Sequence, residues 1–279
     1  MAEITAEAVK ALRERTDLPM MECKKALIEA GGDQEKAVAI LKQRAKGVID
    51  KGKDRMTSEG WVTTLVKPDG SAGVIVEVRC ESAPVARSEG FVNFSNQVAK
   101  QLLYGPGAIS PAEIMAQPAP DVPGQTLTDL HEEIVNKIRE NIVLARIARV
   151  TGPVAGYSHH NGSVGVLVQV AGANATAEVI RDVAMHVAAL NPAVCLPEQL
   201  DPKIVAAEMD RQTAEAKASG KPDNIIQKIV AGKMHMFYAN EGVLVEQPFA
   251  KDDKKTVAQA LAEAGLKAVG FIRWRLGQG

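Results

Sequence analysis

An α+β fold follows from three patterns in the 279-residue chain: amphipathic helices at its start, a strand-then-helix order that occurs twice, and a helical hairpin set within the second occurrence. Together they predict an N-terminal three-helix bundle, two repeated core subdomains with small antiparallel sheets, and an inserted antiparallel hairpin. The expected boundaries are 1–54 for the bundle and 55–150 for the first subdomain, with a connector at 105–125 and a long helix. Residues 151–200 and 240–279 form the second subdomain, and 201–239 the hairpin.

Ile4 ahead of a Thr5 cap staples onto Val9, starting a helix that runs through about Arg15. Pro19 suits the first turn of the second helix and Gly31-Gly32 supplies its stop, so that Cys23, Ala26, Leu27 and Ala30 share a face. Asp33 caps the third, whose Ala37, Ile40 and Leu41 point one way. Met20 and Met21 cannot both face the bundle, and flexible thioethers fill irregular grooves on a partner. The basic stretch from Lys42 through Arg44, Lys46, Lys51, Lys53 and Arg55 reads as a solvated helix end and linker.

Trp61–Val66, a Pro68-Asp69-Gly70 turn and Gly73–Val78 read as a β-hairpin. A helix over Glu89–Leu103 carries Phe91, Phe94, Val98 and Leu102 to cover it. Gly165–Val170 and Glu178–Leu190 repeat that order. Five prolines between Gly105 and Gln125 predict a loose connector. Leu130, Ile134, Ile138, Ile142 and Ile147 predict one long helix after it. Asp201 and Pro202 open the hairpin, Gly220-Lys221-Pro222 breaks it, and Ile225, Ile229 and Phe237 zip its arms, with a homodimer through it as the alternative. Val243–Val245 then reads as a strand.

Near-equal numbers of basic and acidic side chains, 33 against 34, leave no net field for a nucleic acid. Three scattered cysteines without a C-x-x-C pair argue for a reducing compartment and against a structural zinc. No apolar run approaches the roughly 20 residues of a membrane span and no signal-peptide pattern opens the chain, which predicts a cytoplasmic protein. The glycines before Lys221 and Lys233 lack the earlier glycine of a phosphate loop. Gly156-Tyr157-Ser158-His159-His160 has histidine where a nucleophile elbow needs glycine. His159 and His160, adjacent on a strand, point apart and lack a third metal ligand. No catalytic residue, metal or cofactor is expected.

Leu12-Arg13-Glu14-Arg15-Thr16 followed by Leu18-Pro19-Met20-Met21-Glu22-Cys23-Lys24-Lys25-Ala26-Leu27 resembles the opening of bacterial elongation factor Ts. Ser219-Gly220-Lys221-Pro222, Gln247-Pro248-Phe249, Lys255-Thr256-Val257 and Phe271-Ile272-Arg273 extend the resemblance over nearly the whole chain. It implies a ubiquitin-associated-like first domain, a projecting coiled-coil hairpin, and guanine-nucleotide exchange on elongation factor Tu, bound with GDP or without nucleotide. Partner contacts are implied at Val9, Leu12, Arg13, Met20, Met21 and His159, the last within the loop Tyr157–Gly162. The implied exchange loop, which dislocates the partner's magnesium, is Ser82-Ala83-Pro84-Val85. Here the chain departs from the family, which reads Thr-Asp-Phe-Val and drives its aspartate and phenylalanine in beside the nucleotide. Ala83 and Pro84 replace that wedge, so the alternative is a family-like protein that binds the GTPase without efficient exchange. A peptide-binding module on an unrelated scaffold is the third reading. Many relatives continue past Phe271–Arg273 into a further helix; with the sequence stopping at Gly279, its contact is expected to be absent.

Overall fold

A computed structural model describes residues 4–218 and 220–278, which form two compact units. The first comprises the chain up to Thr63, Val76–Ile147, and the residues from Leu276 onward. It opens with α1 (Ala6–Thr16), α2 (Met20–Glu29) and α3 (Gln34–Gly52). The Thr5 hydroxyl accepts from the Ala8 N–H at 3.2 Å, and the Asp33 carboxylate from Glu35 and Lys36, each at 3.0 Å. Pro19 stands one place outside α2, its carbonyl accepting from Glu22 and Cys23. Val9, Leu12, Leu18, Cys23, Ala26, Leu27, Ala37 and Leu41 close the bundle's core. α3 outruns the expected linker: Arg44 pairs with Glu29 and Arg55 with Glu81, while the side chains of Lys46 and Lys51 lie outside the described residues, as does Ser219.

Strands β1 (Glu59–Val66) and β2 (Ala72–Cys80) follow, then the one-turn α4 (Ala83–Ala86) and α5 (Glu89–Tyr104), which buries Phe91, Phe94, Val98 and Leu102 as their spacing predicts. The connector is more regular than its prolines suggest. It contains α6 (Pro111–Met115), capped by Ser110, and a single antiparallel bridge from Pro118 to Thr126. The expected long helix is a correction: α7 spans only Leu127–Ile138, and β3 (Val143–Thr151) follows as third strand of the order β1-β2-β3. Arg139 takes the left-handed conformation, φ 67°, which ends α7 and turns the chain. A spacing of four, as in Ile134, Ile138 and Ile142, suits both a helix face and one side of a strand.

The second unit is Thr64–Ile75 with Ala148–Arg275. It adds β4 (Val154–Ser158), β5 (Val164–Ala171) and α8 (Glu178–Leu190), then the arms α9 (Pro202–Lys217) and α10 (Asp223–Asn240). β6 (Pro248–Phe249), β7 (Asp252–Thr256), α11 (Val257–Glu263) and β8 (Lys267–Arg275) complete it. β5 lies between β4 and β8, antiparallel to both, with Ser158 opposite Gly165 and Leu167 opposite Ile272. Val166, Val168 and Val170 pack on Ile180, Val183 and Val187 of α8 and on Leu244 and Leu261. Gly70, at φ 70°, has no room for a side chain, because a Cβ there meets the Ala175 carbonyl oxygen at 2.5 Å.

Two further expectations are corrected. Leu244–Glu246 is a 3₁₀ turn, joined to the fold by a parallel bridge from Val243 to Val194, because the segment is too short for a ladder. The hairpin seam uses Ile226, Val230 and Met234, with Ile229 and Phe237 partly buried, whereas Ile225 is exposed. Asp201 does cap α9, accepting from Lys203 at 2.9 Å.

Buried His186 sits between Gln247 Oε1, 2.9 Å from its Nε2, and the Ala250 N–H, which donates to its Nδ1 at 3.1 Å. Since the backbone can only donate there, Nε2 carries the proton and the ring is neutral. Burial pulls both His186 and His131 below their ordinary 6.5, against the opposing pull of a hydrogen bond to each. A depressed histidine leaves stability intact above the unfolded value and removes it as the pH falls through the folded values. The urea midpoint is therefore expected to drop between pH 7 and pH 5, and His186→Gln, which keeps a donor and an acceptor without titrating, to lessen that drop.

Candidate functional site

The first unit carries the methionine pair and the altered loop. Because Cys23, Ala26 and Leu27 take the inner face of α2, both methionines are left outside, Met20 49 % and Met21 62 % exposed. Arg13 is also exposed, in the last turn of α1. Val9 and Leu12 of the expected contact set, unlike Arg13, lie buried in the bundle core, where they pack α1 against α2.

The corner between α1 and α2 is tied to the end of α7 by two ion pairs, Asp17 with Lys137 and Glu22 with Arg139. The hydrogen bond from Lys137, reinforced by its charge, holds the Asp17 carboxyl below the usual carboxylate range. From Arg139 the chain runs straight into Glu140, whose carboxylate organises the loop. Its Oε2 accepts from the N–H groups of Glu81 at 3.2 Å and Ser82 at 3.0 Å, and its Oε1 from the Ser82 hydroxyl at 2.6 Å. Glu81 returns the interaction, its Oε1 accepting from the Asn141 N–H at 2.5 Å, while Arg55 pairs with it at 3.0 Å. The Asn141 side chain donates to the carbonyls of Arg55 at 2.8 Å and Lys53 at 3.3 Å.

Held this way, Ser82 is extended and the chain enters α4 at Ala83. Pro84 is exposed, Ala83 and Val85 are half-buried, and Ala86 is buried beneath them. Ser88 then caps α5, its hydroxyl also donating to the Val85 carbonyl at 2.8 Å. Cys80 is buried under the loop with its sulfur 3.3 Å from the Ser82 carbonyl oxygen; burial, with the nearby Glu140 charge, pushes its thiol up to about 12, so it is no nucleophile. The arrangement presents a small, stiff, apolar surface, with no ionisable side chain at Ala83 or Pro84.

His159 belongs to the second unit. Its ring nitrogen Nδ1 pairs with the Tyr157 hydroxyl at 2.9 Å, and its backbone closes a turn onto Val164 and Gly162. Its ring lies 4.3 Å from that of His160 rather than pointing away, because β4 ends at Ser158 and strand alternation ends with it. No group of three metal-binding side chains occurs among the described residues. Sequence reasoning did not join Glu22, Arg139 and Glu140 as a set, although Glu22 stands in the opening motif and the Arg139-Glu140 pair interrupts the apolar stripe after Ile138.

The sequence matches the family described as elongation factor TS over residues 81–278. A protein named elongation factor Ts from Hyphomonas neptunium is 41 % identical, the alignment covering 100 % of this chain and 94 % of the relative. The protein of that name from Methylococcus capsulatus is 40 % identical over 99 % of this chain and 93 % of its own length. That from Bordetella avium is 41 % identical over 100 % and 93 %.

Charge-assisted hydrogen bonds contribute roughly 1.5–3 kcal/mol each at most, and three share one carboxylate here. Glu140→Ala is expected to lower stability in urea by about 2 kcal/mol and to speed amide exchange at Glu81 and Ser82. Glu140→Gln, which keeps an acceptor, recovers part of both.

Proposed function

Because the chain belongs to the elongation factor Ts family, we propose that it is the guanine-nucleotide exchange factor of an elongation factor Tu. It binds the GTPase in GDP-bound and nucleotide-free states, promotes GDP release, and itself makes or breaks no covalent bond. The observation that carries this reading is the clamped turn at Ser82–Val85, linked through Glu140, Arg139 and Glu22 to the exposed Met20 and Met21.

Exchange requires tighter binding to the nucleotide-free GTPase than to the GDP form. In this chain the preference cannot come from a carboxylate repelling phosphate or an aromatic ring filling a pocket. It comes instead from the fixed backbone of the turn, with Pro84 as a short apolar knob, and from the separate patches around Met20, Met21, Arg13 and His159. Preorganisation compensates for small side chains, because little loop entropy remains to be lost on docking. The conserved-name relatives at about 40 % identity favour exchange over binding alone. A cytoplasmic site of action agrees with three free cysteines, all buried. No described helix is long and apolar enough to cross a membrane. The hairpin's buried seam is used between its own arms, which favours a self-packed hairpin over a homodimer through it.

Stopped-flow release of fluorescent GDP from the cognate GTPase in millimolar magnesium tests the reading: release accelerates and saturates with added protein. Unchanged release, with binding confirmed separately, leaves a partner without exchange activity. Burying a phenylalanine is worth roughly 1.5–3 kcal/mol, so Ala83→Asp with Pro84→Phe is expected to speed release about tenfold further. Met20→Ala with Met21→Ala is expected to weaken binding at least about tenfold, since each buried thioether stem contributes on a similar scale.

A further inference from the structure

A cleft of about 320 Å³ lies wholly within the second unit and is lined by none of the residues assigned to the GTPase. The end of β1 and the turn after it form one wall, β4 the second, and the segment entering α8, with the first turn of that helix, the third. The close approach of Gly70 to the Ala175 carbonyl sets the turn against the entry to α8, so that Lys67 and Arg181 border the same space. Leu65, Val66 and Ala155, each partly exposed, give it apolar walls, and exposed Thr176 adds a hydroxyl.

What distinguishes the cleft is its charge: the lining holds two cations and no carboxylate. Arg181 is exposed and Lys67 partly so, which leaves both within reach of a dissolved ligand. The acids nearest to them in sequence are engaged elsewhere. Asp69 accepts from the Ser71 N–H at 3.0 Å and from its hydroxyl at 2.7 Å, while Glu178 and Asp182 pair with Lys251 at 3.9 and 2.7 Å. Among the described residues, neither Lys67 nor Arg181 has a carboxylate within ion-pairing distance. Two uncompensated charges of one sign on a concave, partly apolar surface repel each other and concentrate anions there.

We propose that this cleft binds a small phosphate monoester, its phosphoryl group held between Arg181 and Lys67 and its organic body laid against Leu65, Val66 and Ala155. A phosphate monoester carries about −1.5 to −2 charges at neutral pH, which matches the two cations. The Arg181 fork takes two phosphate oxygens at once, and Lys67 acts as a point charge. The volume falls within the range of small-molecule sites, about 300–1,000 Å³.

The test uses the full chain at low salt and three probes. Phenyl phosphate carries charge and ring, inorganic phosphate the charge alone, and benzyl alcohol the ring alone. Titration followed by ¹H–¹⁵N NMR is expected to show saturable shifts of the Lys67, Thr176 and Arg181 backbone amides with phenyl phosphate, and binding at least about tenfold weaker with either other probe. Lys67→Gln with Arg181→Gln removes both charges without breaking an ion pair, and is expected to weaken phenyl phosphate at least about tenfold. Lys67→Arg, which keeps the charge, retains the affinity. Absence of saturable binding to millimolar concentration, shifts that map outside the cleft, either control probe bound as tightly as phenyl phosphate, or affinity that survives the double substitution would each overturn the proposal.

Discussion

The proposed exchange surface of the first unit depends on one reciprocal arrangement. Glu140 accepts from the backbone of Glu81 and Ser82, while Glu81 accepts from the backbone of Asn141. Each carboxylate thus satisfies backbone donors at the junction where the other resides, and Arg55 offsets the repulsion between them. The turn consequently holds its shape with one side-chain bond of its own, from the Ser82 hydroxyl to Glu140, and without any help from the side chains of Ala83 and Pro84. This is the physical reason a loop lacking both aspartate and phenylalanine remains a credible contact element: its ordering cost is met during folding, so a partner does not bear it.

A second constraint works from inside the same unit. Glu77, fully buried in β2, is held by Arg79 at 2.5 Å, Arg146 at 2.6 Å and the Gly277 N–H at 3.2 Å. Such a group adds little net stability compared with an apolar core, but removing one member leaves a charge stranded. What it supplies is specificity, since β2, β3 and the segment at Gly277 must meet in one register to satisfy it. Specification by polar groups recurs in the second unit, where His186 joins α8 to the segment carrying Gln247 and Ala250.

Much of this was legible in the sequence, for local reasons. Thr5, Asp33, Ser88 and Asp201 bond donors within three residues, so cap and helix start are encoded together. The face of α5 follows from helical spacing, and the repeat of strand and helix order located β1, β2 and β5. What failed depended on partners distant in sequence or on ambiguous periods. Arg139 ends α7 in a left-handed conformation that an arginine does not advertise, and a four-residue spacing fits strand and helix alike. Val9 and Leu12 lie on the same short helix as exposed Arg13, yet helical geometry turns the two apolar residues inward. The Glu81 and Glu140 pairing joins positions far apart in the chain, and neither residue type announces it.

The account rests on this protein preferring the nucleotide-free GTPase despite its altered loop. The most direct measurement is the affinity of the complex with and without saturating GDP and magnesium, set beside the affinity of the GTPase for GDP with and without this protein. Linkage requires the two factors to be equal. The account predicts that GDP weakens the complex at least about tenfold, by the factor by which the protein weakens GDP; a complex indifferent to GDP and magnesium would contradict it.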